Sequence, residues 1–181
     1  MPPSRRSVGL RSSMIEQKIL AGGAGGRGAG AEPTPEHGRL CIAVSAELRA
    51  ALRGLRTVRD GSVAIHVPAT RAGLRPDVSV VCGPVMKTVV EKDGNVQGEA
   101  ITNPCVIVEV LSDSTERDDR GWKARDYRTI ASLEEYVLVS QDERCVEVFR
   151  RGAEWRREVY GAGESFPLHG ALVSVDAVYA E

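Results

Sequence analysis

At 181 residues and 42% hydrophobic content, the chain can bury one real core, and its size favours a single domain over two. Its 24 Lys and Arg against 25 Asp and Glu exclude a protein that coats nucleic acid through bulk positive charge, so any nucleic-acid contact must be local. No apolar run approaches the ~20 residues needed to cross a bilayer, and the start lacks a secretory core, which makes the cytoplasm the expected location.

The charge is uneven. Arg5, Arg6, Arg11, Lys18 and Arg27 against Glu16 give residues 1–30 a net +4, leaving −5 for the rest. An acidic body can still hold a phosphodiester if divalent metal neutralises the site. The four cysteines, Cys41, Cys82, Cys105 and Cys145, show neither zinc-knuckle nor redox-motif spacing and are expected as buried thiols of a reducing compartment.

In chain order, Ala21 to Ala31 (AGGAGGRGAGA) is too glycine-rich for a helix or strand and reads as a flexible linker. It lacks the Gly-Lys-Ser/Thr ending of a phosphate-cradling loop. The basic, serine-bearing start resembles a transit peptide in composition, while Met14 offers a later start codon; neither reading carries function. Residues 1–33 are therefore set apart as a flexible segment, and residues 34–181 as the domain.

Thr34-Pro35-Glu36 combines a capping hydroxyl, a first-turn proline and an acid favoured by the helix dipole. The helix is expected to run to about Arg53, with Leu40, Val44, Leu48 and Leu52 on one face and Gly54 as its stop. Runs rich in branched residues then predict strands: Ser62 to Val67, Asp77 to Val81, Cys105 to Leu111, Glu135 to Ser140 and Cys145 to Phe149. Gly83 to Pro104 reads as a long polar loop with an Asp93-Gly94 turn. Glu116 to about Ile130 reads as a helix crossing over, right-handed, between two parallel strands. The class that follows is α/β: a mixed sheet with an N-terminal helix and a crossover helix, plus a C-terminal antiparallel extension holding Trp155, Tyr160 and Phe166.

Glu109 is the most informative position. It interrupts an apolar run of the kind found in strands covered on both faces. A buried carboxylate costs several kcal/mol unless the site supplies a cation, a metal or a proton, so Glu109 is either a metal ligand or half of a buried salt bridge. Asp77 follows Pro76 at the start of the preceding strand, where it could chelate with Glu109 or serve as a strand-edge aspartate. Helical spacing puts Arg120, Lys123, Tyr127 and Ile130 on one face. Lys123 could thus be aimed at Glu109 to stabilise a phosphate or orient a water, or form a surface pair with Asp119. His66 and His169 have no neighbour at metal-ligand spacing.

Taken in order, Pro76-Asp77, NPCVIVEVLSDST (Asn103 to Thr115), DRGWKARDY (Asp119 to Tyr127) and the EYVLV strand resemble the Uma-two family. The likeness runs from about Pro35, including PEHGRL, to the C-terminus. It implies membership of the PD-(D/E)xK superfamily, a restriction-endonuclease-like fold, and hydrolysis of DNA phosphodiesters with Mg²⁺ or Mn²⁺. It also implies Asp77, Glu109 and the Val110 carbonyl as metal ligands and Lys123 as the catalytic lysine, since Leu111 occupies the place of lysine in Glu-x-Lys. His37 matches the family's histidine in the first helix and is expected at the solvent surface or near the site. The family's N-terminal Tyr-Glu-Leu hairpin has no counterpart in Met14 to Ala31.

The expected activity is a metal-dependent DNA endonuclease, with DNA as partner, a homodimer as one possible assembly and no membrane association. A second class is a catalytically silent nuclease-fold domain that binds or assembles. A third class, a non-nuclease hydrolase using the same acids, has no serine–histidine or cysteine–histidine signature to support it.

Overall fold

The computed structural model describes residues 34–52 and 56–180; the expectations for residues 1–33 lie outside them. Helix α1 spans Pro35–Ala51. The Thr34 hydroxyl accepts the His37 N–H at 3.1 Å, satisfying one of the donors that a helix start leaves without a helical partner. Leu40, Val44 and Leu48 form its buried face, each worth about 1.5–3 kcal/mol on burial.

The chain then forms β1 (Arg56–Asp60), β2 (Ala64–Val67), β3 (Ala72–Leu74), β4 (Val78–Cys82), β5 (Lys87–Lys92), β6 (Asn95–Ile101) and β7 (Pro104–Val110). After the crossover come β8 (Glu135–Val139), β9 (Cys145–Arg150), β10 (Arg157–Gly161), β11 (Ser165–Leu168) and β12 (Ala171–Ser174), and a closing turn of helix, α4, over Val175–Val178. The main sheet has the order β1-β4-β7-β8-β9-β10. Its β7–β8 pair is parallel and its other pairs antiparallel, so the sheet is mixed, as expected. The C-terminal extension differs from the expectation in one respect: β9 and β10 enlarge the main sheet, and only β11 and β12 stand apart as a hairpin.

Strand β7 explains the continuous apolar run. Val106, Val108 and Val110 face the core built under α1, while Ile107 and Leu111 face a second core with Tyr127, Tyr136 and Leu138. With both faces covered, the alternation of a half-exposed strand is lost. Glu109 lies on the second face.

Two elements depart from the sequence reading. Gly83 to Pro104 is not an open loop: it contains the antiparallel β5–β6 hairpin, turned through Asp93 and Gly94 at φ 52° and 76°, the positive angles that a tight hairpin turn demands. Its solvent-facing residues gave it a polar look. The crossover is also not one helix. It consists of α2 (Glu116–Asp118), a π turn (Asp119–Lys123) and α3 (Ala124–Tyr127), with Gly121 at φ −100° and ψ −105°. Ile130 is buried beyond its end.

The expectation of four free thiols is corrected at Cys82 and Cys105, which form a disulfide; Cys41 and Cys145 are free. The two halves are 23 residues apart in sequence and meet because β4 and β7 are neighbours. The pairing skips from Val80↔Val106 to Val81↔Pro104, so Cys105 is the extra residue of a bulge and is re-aimed by it.

Candidate functional site

Asp77 sits just before β4. The register Val78↔Val108 carries it opposite Glu109 on the same face. The backbone there is tightly backed: a Cβ on Gly61 would come within 3.3 Å of the Pro76 carbonyl. Two hydrogen bonds lock the acids to each other's strands. The Asp77 N–H donates to Glu109 Oε2 at 3.2 Å, and the Val110 N–H donates to Asp77 Oδ2 at 2.7 Å.

Lys123 and Tyr127, one helical turn apart, close over Glu109. The Lys123 ammonium lies 3.4 Å from Glu109 Oε1 and 2.6 Å from Asp119 Oδ1. The Tyr127 hydroxyl donates to Glu109 Oε1 at 3.1 Å. Asp77, Glu109 and Lys123 thus converge, and the lysine is shared with a third acid. The pairing of Lys123 with Asp119 exists, but not as a surface pair: Asp119 is 1% exposed. Arg120 does not join this group. It turns to Glu147 on β9 and to Glu116, because the π turn interrupts the helical spacing that would align it with Lys123.

The electrostatics follow from burial with too little positive charge. Burial raises the Glu109 carboxyl above the ordinary range; Lys123 opposes the shift, and Asp119 and Asp77 reinforce it. Asp119 is likewise raised by burial against the pull of Lys123. Burial lowers the Lys123 ammonium, yet Glu109 and Asp119 outweigh it and hold it above its usual value. Lys123 therefore stays charged.

His37 is not at the solvent surface. Its side chain is 15% exposed and its Nε2 lies 3.3 Å from Asp77 Oδ2. One turn along α1, Cys41 Sγ is 3.6 Å from His37 Nδ1. Burial, then Asp77 and Glu109, push the Cys41 thiol up to about 12, so it is a neutral thiol and a poor nucleophile. Donor atoms of His37, Cys41 and Asp77 lie within 4.8 Å of one another. The sequence reading gives Asp119 only as a surface partner of Lys123 and Cys41 only as a buried thiol, and places neither at the site. The (i, i+4) spacings Asp119–Lys123 and His37–Cys41 were available as signals, but such pairs are common on exposed helices.

The Uma2 family model, "Putative restriction endonuclease", matches residues 29–176. The uncharacterized protein slr1290 of Synechocystis sp. is 32% identical over 126 residues, covering 67% of this chain and 62% of that protein. A second Synechocystis protein, the uncharacterized sll1609, is 50% identical over 52 residues, 29% of each chain. The chain thus spans less than two thirds of the length of these curated relatives. Among solved structures, the crystal structure of a "putative nuclease belonging to DUF820" from Anabaena variabilis ATCC 29413 superposes with a TM-score of 0.63, covering 83% of both chains at 14% identity, a likeness of fold. With the family model covering nearly all of the described residues and a nuclease fold matching as much of the chain, the protein belongs to the Uma2 family of restriction-endonuclease-like proteins.

Proposed function

We propose that this chain is a divalent-metal-dependent DNA endonuclease in which Asp77, Glu109 and the Val110 carbonyl hold Mg²⁺ or Mn²⁺ and Lys123 acts on the scissile phosphate. One observation carries the reading: Glu109 and Asp119 share a single ammonium, that of Lys123, and the Asp77 carboxylate is near enough to push both of their carboxyls up. Glu109 is 2% exposed, and the excess negative charge in a site so dry favours taking up a cation. The donors are carboxylate and carbonyl oxygens, which suit a hard ion. When bound, such an ion supplies Lewis-acid polarisation of the phosphate and a more acidic water.

The chain's own groups divide the remaining work. The Val110 N–H fixes Asp77, and the Tyr127 hydroxyl fixes Glu109, so ligand geometry is set before substrate arrives. Lys123, 20% exposed, is placed to meet charge that develops on the phosphate. DNA is the substrate that the family description favours. Its approach to an acidic body would be local, through the metal. A homodimer would present two such centres to two strands. Residues 34–181 are proposed as the catalytic domain and the cytoplasm as its location. No helix among the described residues is long and apolar enough to cross a membrane.

A second reading, a silent domain that binds or assembles, draws on one feature: Lys123 lies closer to Asp119 than to Glu109, so the acids are partly compensated within the fold. Calorimetric titration with Mn²⁺ and plasmid nicking separate the two. The endonuclease reading expects binding and nicking, both lost in Glu109→Ala. Absence of both in the wild-type chain rejects it.

A further inference from the structure

At the other end of β4 and β7 from the carboxylates, Cys82 closes β4 and Cys105 is the second residue of β7. Asp77 and Glu109 lie four or five residues away along those strands, roughly 13–17 Å at strand rise. One ligand atom each of Cys82, Cys105 and His169 lies within 4.8 Å of the others. Cys105 is 4% exposed, Cys82 is half-buried, and the His169 side chain is 18% exposed. We propose that these three side chains form a soft-metal site, distinct from the carboxylate centre, that takes Zn²⁺ when the disulfide is reduced.

Three independent features support this. The first is the donor set: two sulfurs and an imidazole are the ligands that zinc prefers, and a carboxylate or water commonly completes four-coordination. The second is the support around the imidazole. Glu134 Oε2 lies 3.2 Å from His169 Nδ1, and the Glu134 N–H donates to the Cys105 carbonyl at 2.9 Å. The same residue thus touches both the histidine and a cysteine, as outer-shell acids do in zinc sites. The third is the turn. His169 and Gly170 connect β11 to β12 with φ of 46° and 82°, and the Glu135 carboxylate accepts the His169 N–H at 2.8 Å. Two positive angles favour Asn-Gly in such a turn. Histidine, like asparagine, tolerates positive φ, and at this position it also carries an imidazole to the sulfurs.

The chemistry balances with an external dithiol as reductant. Thiolate attack breaks the Cys82–Cys105 S–S bond, a second exchange releases the dithiol as its cyclic disulfide, and two protein thiols result. Zn²⁺ then binds as two thiol protons pass to solvent. In either state the ends of β4 and β7 are tied, by sulfur when oxidised and by metal when reduced. Zinc uptake by these residues requires no nuclease activity.

The test uses full-length chain carrying Cys41→Ser and Cys145→Ser, so that Cys82 and Cys105 are its remaining cysteines, with Co²⁺ as the spectroscopic probe. After reduction, one equivalent of Co²⁺ is expected to give thiolate-to-cobalt charge-transfer and tetrahedral visible bands, both displaced by Zn²⁺. The oxidised protein is expected to give neither. Cys82→Ser is expected to weaken the charge-transfer band and loosen binding. Glu134→Gln is expected to weaken affinity about tenfold, as outer-shell changes do, and His169→Asn by more. Asparagine tolerates positive φ, so His169→Asn is expected to keep the circular dichroism and melting of the parent, which separates loss of a ligand from loss of fold. The proposal is overturned if reduced, folded protein shows no thiolate-to-cobalt band, or if His169→Asn binds Co²⁺ as tightly as its parent.

Discussion

Two buried glutamates in one row of the sheet have opposite fates. Glu109 on β7 pairs in register with Leu138 on β8, which pairs with Glu147 on β9, so both acids face the same side and lie beneath the same crossover segment. Glu147 receives two guanidiniums: Arg120 through two hydrogen bonds at 2.9 and 2.8 Å and Arg157 at 2.5 Å. Burial pushes its carboxyl up, but the two arginines outweigh that and hold it down at about 2. Glu109 receives one ammonium at 3.4 Å, shared with Asp119, and is raised. Two buried acids in one row of the sheet thus differ by the cations they receive. The neutralised one is a structural ion pair, and the under-neutralised one is where a metal would be drawn.

The largest effect is expected at Lys123. On the proposed function, Lys123→Ala is expected to cut nicking by about 10²-fold, the usual cost of losing one transition-state contact, while Mn²⁺ affinity measured by calorimetry persists. Glu109→Ala is expected to lose both. Unchanged nicking in the lysine variant would return Lys123 to a purely structural pair with Asp119.

Glu147 tests the other half. A carboxyl held below its unfolded value of 4.5 stabilises the fold above that pH, and the gain is lost as pH falls through about 2. Glu147→Gln is therefore expected to cost about 2 kcal/mol near neutrality, discounted for the half-exposed arginines. The difference from wild type is expected to shrink between pH 4.5 and about 2, as read from urea unfolding across that range. A pH-independent difference would mean packing, not charge.

Glu109→Gln sharpens the contrast because its sign is opposite. A carboxyl held above its unfolded value of 4.5 takes stability from the fold as pH rises past that value, so Glu109→Gln is expected to gain thermal stability relative to the metal-free wild type as pH rises, even as metal binding falls. Destabilisation would mean that Lys123 neutralises Glu109 as fully as the arginines neutralise Glu147. The smallest effect is expected from removing residues 1–30, which contain neither Glu109 nor Glu147 and none of Arg120, Lys123 and Arg157. On the proposed domain boundary, cooperative unfolding and its midpoint are retained.

Much of this arrangement was legible in the residues, and the failures have physical causes. Strands β7 and β8 are covered on both faces and so read plainly as apolar runs. Glu109 stood out because it breaks one of them. Asp77 could be placed only because strand pairing carries it opposite Glu109. The hairpin β5–β6 escaped because its exposed positions, such as Glu91 and Gln97, leave no continuous apolar signal. The burial of Asp119 escaped because an (i, i+4) acid–lysine pair looks the same in water as under a sheet. The union of Cys82 with Cys105 depends on a bulge, and a one-residue slip in strand register has no signature in spacing.

The π turn at Asp119–Lys123 carries a consequence for insertions and deletions. A regular helix there would advance each residue by about 100°, and the wider turn resets that phase between Arg120 and Lys123, letting one cation reach Glu147 and the other Glu109. Shortening the segment by one residue would make a better helix yet swing one of the two cations off its glutamate. This stretch is expected to tolerate substitutions that keep its positive charges far more readily than any change in its length.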